Sequence, residues 1–133
     1  ADRAGIWLGP DEWLLLAPDG EGPALEARLR AALDAAPHFA VTDVSQASVT
    51  LLLAGPGTAE VLARGCSLDL DPARFAAGDC ARTLLGKAGV LLRALDAAPT
   101  IEIHGRNSFA AYLEAWLARA LETVRAGTCM DKA

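Results

Sequence analysis

A chain of 133 residues with 53% hydrophobic composition is long enough to bury one sizeable core and short for two ordinary domains, so a single domain over 1–133 is expected. With 22% charged residues and high aliphatic content it falls outside the disordered and low-complexity classes. A net charge of −5 argues against nucleic acid or an anionic membrane as partner, since both require a surplus of Lys and Arg on one face.

In chain order, Ile6–Leu8 and Trp13–Leu16 flank Gly9-Pro10-Asp11-Glu12, a turn signal between two short apolar strands. Pro23 suits a first helical turn, and Leu25, Leu29, Ala32, Leu33 and Ala36 then share one helical face until Pro37 stops it. Phe39–Val44 and Val49–Leu53 are β-favouring runs, expected to pair antiparallel across Ser45-Gln46. Gly55-Pro56-Gly57-Thr58 opens a short helix with Val61 and Leu62, and Gly65 is expected to close it in a left-handed conformation. Ser67–Gly78 reads as loop. Thr83–Leu85, Val90–Leu95 and Ile101–Ile103 are further strands, the first two joined at Gly86-Lys87-Ala88-Gly89. Phe109, Tyr112, Leu113, Trp116, Leu117, Ala120, Leu121 and Val124 form the stripe of a one-sided helix started by Asn107 or Ser108. Hairpins mixed with helices define an α+β class, helices packed on an antiparallel or mixed sheet, ferredoxin-like in arrangement.

The residues capable of chemistry have structural explanations. Neither His38 nor His104 has a His or carboxylate at ligand spacing on its own element, and both read as structural or surface groups. Asp69 and Asp71 lack the remaining positions of a calcium loop and read as a solvated turn. Ser45, Ser67, Ser108, Cys66, Cys80 and Cys129 lie in no nucleophile motif, and three cysteines at wide spacing read as reduced intracellular thiols. Gly55 and Gly57 miss the third glycine of a dinucleotide loop and have Pro56 between them, which favours helix initiation. Trp7, Trp13 and Trp116 read as core aromatics. Asp43 and Ser45 are expected to make local bonds at a strand end. The expected catalytic, cofactor-binding and metal residues of this chain are therefore none. With no apolar run of membrane-spanning length, and no signal-peptide run after Ala1-Asp2-Arg3, the expected location is the cytoplasm.

Trp7-Leu8-Gly9-Pro10-Asp11-Glu12-Trp13-Leu14, Asp43-Val44-Ser45, Leu53-Ala54-Gly55-Pro56, Gly65-Cys66-Ser67-Leu68-Asp69-Leu70, Phe75, Gly78-Asp79-Cys80-Ala81-Arg82-Thr83 and Ser108-Phe109 with Tyr112-Leu113 follow one another in an order that resembles the sarcosine oxidase gamma subunit family. The resemblance spans roughly residues 7 to 121. Family members carry additional residues before the first block, which implies a truncated or short N-terminus here. The family in turn looks like the folate-binding domains of glycine-cleavage T-proteins, which implies a shared fold. Their catalytic acid has no counterpart in Gly86–Leu95, where Lys87 and Arg93 are the charged residues, so the aminomethyl-transfer role is not carried over.

What the resemblance implies is a small, non-catalytic assembly subunit of a heterotetrameric, tetrahydrofolate-linked sarcosine oxidase. Its partners would be larger alpha and beta subunits, which hold FAD, FMN, NAD and tetrahydrofolate and convert sarcosine to glycine, and a small delta subunit. The competing expectations are a gamma-like subunit of a related N-methyl amino acid dehydrogenase, and a freestanding folate-binding, aminomethyltransferase-like protein.

Overall fold

The computed structural model describes residues 3–96 and 100–130, with side chains placed as far as Ala126. The Ala1-Asp2 start, Lys132 and the Cys129 side chain lie outside the described set. The chain divides into two compact units, residues 1–46 and 47–133, each described by itself.

In the first unit, β1 (Ala4–Gly9) and β2 (Glu12–Leu16) pair antiparallel, with Trp7 opposite Trp13 and a register shift between Trp7 and Gly9. The expected hairpin is therefore formed. Helix α1 (Gly22–Leu33) starts with Pro23 in its first turn, where the missing N–H costs no helical bond. It stops at Leu33, four residues before Pro37, because a helical proline there would press its ring on the Leu33 carbonyl. None of its residues is buried, so the predicted apolar face of α1 is left without a core of its own.

Phe39–Val44 does not form the expected strand. Instead the Asp43 Oδ1 accepts the Ser45 backbone N–H at 2.8 Å and the Ser45 hydroxyl at 2.6 Å, and Ser45–Ala47 continues as a 3-10 turn. That local satisfaction of the backbone replaces the two-residue reversal a hairpin would need.

The second unit holds a four-stranded sheet, β3 (Ser48–Ala54), β4 (Cys80–Leu85), β5 (Ala88–Ala94) and β6 (Thr100–Arg106), in the order β3-β6-β5-β4 with every pair antiparallel. Val49–Leu53 thus finds its partner in β6, with Leu51 opposite Ile103. A ferredoxin-like unit follows the order β-α-β-β-α-β, with a helix between its third and fourth strands, whereas β5 (Ala88–Ala94) runs on to β6 (Thr100–Arg106) with five residues between them. Here β4, β5 and β6 form a meander and β3 adds antiparallel at its side, so the α+β class holds while the ferredoxin-like arrangement is not formed among the described residues.

The β4–β5 reversal is made by Gly86 and Lys87, since Leu85 and Ala88 already pair. Gly86 has φ +60°, the first central position of a type II′ turn, and the Tyr112 hydroxyl accepts the Lys87 N–H at 2.9 Å. Helix α2 (Thr58–Ala63) follows Gly57, and α3 (Ala110–Met130) follows a 3-10 turn at Asn107–Phe109. Both pack on one sheet face. The core joins Val61 and Leu62 of α2, Leu85, Leu92 and Ile103 of the sheet, and Leu113, Leu117, Ala120 and Val124 of α3. Each fully buried aliphatic side chain contributes about 1.5–3 kcal/mol relative to exposure.

Gly65 ends this packing differently from expectation. Its φ is not left-handed; the residue is small because the Trp116 ring lies where a side chain would be, 2.4 Å from the position of a Cβ.

Candidate functional site

Strand alternation sends Ile101 and Ile103 into the helix-backed core and turns Glu102 and His104 to the opposite sheet face. Cross-strand register then sets Arg93 of β5 opposite Glu102, and Thr50 of β3 and Leu91 of β5 on either side of His104. The result is a polar row. Thr50 Oγ1 lies 3.0 Å from His104 Nδ1, His104 Nε2 lies 3.3 Å from Glu102 Oε2, and Arg93 Nη1 donates to that same Glu102 oxygen at 3.2 Å.

His104 is 8% exposed, and burial holds its imidazole below the ordinary histidine range. The Glu102 carboxylate opposes that shift and the Arg93 guanidinium reinforces it. The Nε2–Glu102 approach is within ion-pair distance but lacks hydrogen-bond geometry, so Nε2 is a buried nitrogen without a hydrogen bond. The neutral ring is the form this environment favours.

Hydroxyl, imidazole and carboxylate in sequence are the parts of a nucleophile relay, which also needs a recess for the reacting group. One cavity lies apart from this row, on the core side. It measures about 100 Å³ and is bordered by Thr58, Leu62, Leu70, Phe75, Asp96 and Ile101 among others. Ligand pockets for drug-sized molecules run to about 300–1,000 Å³. The Thr50–His104–Glu102–Arg93 row links β3, β6 and β5 through side-chain contacts, with His104 as its buried member.

The residues singled out in the sequence are dispersed. His38 is exposed in the segment after α1, remote in sequence from His104 and in the other unit. Asp69 Oδ1 accepts the Asp71 N–H at 3.1 Å, Asp71 Oδ1 accepts the Ala73 N–H at 2.8 Å, and Arg74 pairs with Asp69 at 3.1 Å, a self-contained exposed turn. Among the described residues no group of three His, Cys, Asp or Glu side chains is placed to hold a metal ion. Cys66 is buried with its sulfur 3.6 Å from the Thr83 hydroxyl. Gly55 and Gly57 initiate α2, the Thr58 N–H donating to the Gly55 carbonyl at 3.1 Å.

Two readings need correction. Trp116 packs against the core, but Trp7 and Trp13 are 57% and 60% exposed, because they share the open face of the hairpin. And His104 does have a carboxylate on its own element: Glu102, two residues earlier, shares its side of the strand. The period-two alternation of a strand was the available signal; the Arg93 and Thr50 partners required knowledge of which strands lie beside β6.

These features define a mixed α+β chain whose antiparallel sheet is backed by helices on one face and carries a polar row on the other. No helix of the described residues is long and apolar enough to cross a membrane. Residues 2–122 match the family described as sarcosine oxidase, gamma subunit family. Similar proteins include the sarcosine oxidase subunit gamma of Arthrobacter sp., 42% identical over 89 residues, and that of Corynebacterium sp. strain U-96, 43% identical over 89 residues. Those matches cover 67% of this chain and 42% of each relative, so the matched segment spans less than half the length of these relatives. Among solved structures, a chain of the heterotetrameric sarcosine oxidase from Corynebacterium sp. U-96, in complex with pyrrole 2-carboxylate, superposes with a TM-score of 0.83 at 36% identity, covering 91% of this chain and 60% of that one. The chain belongs to the sarcosine oxidase gamma subunit family.

Proposed function

We propose that this chain acts as the gamma-type assembly subunit of a heterotetrameric, tetrahydrofolate-linked sarcosine oxidase and does no chemistry itself. In this reading its partners are the larger alpha and beta subunits, which hold FAD, FMN, NAD and tetrahydrofolate, and a small delta subunit. They carry out oxidative demethylation of sarcosine to glycine in the cytoplasm. The observation that carries the reading is the likeness to a chain of a heterotetrameric sarcosine oxidase, which combines 36% identity with a shared backbone over 91% of this chain. The residue chemistry agrees with a role in assembly. Among the described residues Arg93 pairs with Glu102 and Thr50 with His104 within the sheet, and the exposed apolar side chains include two tryptophans.

Co-expression with the larger subunits tests the proposal. The chain should copurify stoichiometrically, and omitting it should lower the solubility or sarcosine turnover of the remaining subunits. The isolated chain should be colourless and bind neither flavin nor folate at micromolar concentration. Flavin absorbance or folate-dependent turnover by the isolated chain would overturn the reading.

A further inference from the structure

The β1–β2 hairpin is apolar on both faces. Register places Gly5 opposite Leu15 and Trp7 opposite Trp13 on one face, while Ile6 and Leu14 pair on the other. Ile6 is 3% exposed, whereas Trp7, Trp13 and Leu15 are 57%, 60% and 40% exposed. The three large side chains are contiguous. The Leu15 Cδ2 and Trp13 Cε3 atoms lie 3.4 and 4.0 Å from where a Cβ of Gly5 would stand, so both lean over the glycine. Contiguous exposed indoles on a rigid strand pair have the composition of an interface hot spot.

Charge decides the occupant. Residues 1–46 contain eight acidic and three basic residues, and residues 47–133 contain nine of each, so the entire surplus of −5 belongs to the unit that bears the hairpin. Two of the three basic groups are already engaged, Arg3 with Glu21 and Arg30 with Glu26. Asp11 and Glu12 stand exposed at the hairpin tip beside Trp13. A second copy of the chain would bring the same acidic residues to the same face, and an anionic lipid surface would meet like repulsion.

We infer that the Trp7–Trp13–Leu15 face docks into an apolar recess bordered by Arg and Lys on a partner protein. The inference rests on the assembly role proposed above, which makes that partner one of the larger oxidase subunits. Burying the indoles removes the chain's largest exposed apolar side chains from water, and the acidic tip sets orientation and association rate.

The test titrates the full chain against the larger subunits prepared without it. Trp7→Gln and Trp13→Gln should each weaken binding by about 30-fold or more, the range of a tryptophan hot spot, with an unchanged melting temperature. Leu52→Gln and Leu84→Gln are matched controls. These leucines are 63% and 59% exposed and lie on the two edge strands of the other unit's sheet, so their affinities should stay within about threefold of wild type. Asp11→Lys should slow association, and wild-type association should slow as salt is raised. In a Trp116→Phe background, the remaining tryptophan emission should shift to the blue on complex formation, a readout that requires no hairpin substitution. If the wild-type chain is not retained by the larger subunits, the assembly role and this inference fall together. If it is retained and the tryptophan variants bind as tightly as wild type, or the emission does not shift, the docking face alone is overturned. Salt-insensitive binding, or self-association lost on Trp13→Gln, overturns the basic-rimmed partner.

Discussion

Replacing Gly65 by Ala sets two effects of opposite sign against each other. Gly65 lies just after α2 with a φ outside the left-handed range, so alanine suits its backbone and would restrict the unfolded chain, a gain of about 0.4–1 kcal/mol. The added methyl would stand 2.4 Å from Trp116 Cζ2 and 3.0 Å from both Trp116 Cη2 and the Gly86 nitrogen. The indole is partly buried against the core, which limits how far it can move aside. The backbone is pinned too, because the Gly65 carbonyl accepts the Gly86 N–H at 2.9 Å. Overpacking of this kind costs about 1–3 kcal/mol, which exceeds the entropic gain and leaves a net loss of about 1–2 kcal/mol. At about 4 °C per kcal/mol for a chain of this size, the melting temperature should fall by about 4–8 °C. Calorimetry or far-UV circular dichroism would measure it. Trp116→Phe in the same background should recover part of the loss, giving a double-mutant cycle that is not additive. A Gly65→Ala protein that melts at or above wild type, or an additive cycle, would refute the close approach of α2's end to α3.

Asp43→Ala should lower the melting temperature measurably while Asp43→Asn retains most of it, because the Ser45 hydroxyl and N–H both donate to Asp43 Oδ1. Those bonds hold the Asp43 carboxyl below its ordinary value of 3.8, so their contribution is present above that value and disappears as pH falls through the lower folded-state value; a melt titrated from pH 5 to 2 reads it. For His104, burial depresses the folded-state pKa, so the unfolded chain binds the proton first. Stability should be full above about pH 6.5 and decline as pH falls below it, and the decline should shrink in His104→Gln. Identical pH profiles for the two proteins would show that burial, with Arg93 beside it, does not disfavour the charged ring.

Elements governed by short-range rules were legible in the residues themselves. The stripe from Phe109 to Val124 repeats with the helical period, and Leu113, Leu117, Ala120 and Val124 are indeed buried. The hairpin at Gly86-Lys87-Ala88-Gly89 follows from turn chemistry, although Ala88 and Gly89 pair in the strand and only Gly86 and Lys87 make the reversal, and Asp43 with Ser45 follows from the reach of short polar side chains. The order of family blocks along the chain likewise carries the resemblance to the gamma subunit family, to which the chain belongs.

Tertiary structure alone decided the rest. Strand pairing joins residues far apart in the chain, so β3 took β6 rather than the adjacent Phe39–Val44 run, and no local propensity distinguishes those partners. That same choice assembled the polar row. Glu102 and His104 are two residues apart, but Thr50 and Arg93 meet them only once β3 and β5 lie on either side of β6. Burial is also a property of what is packed above a residue. Trp116 and Trp13 are equally apolar in sequence, yet α3 turns the first towards the sheet while the hairpin leaves the second in water. At Gly65 the residue's smallness is set by an indole fifty-one positions away in the chain, a steric constraint that no backbone preference encodes.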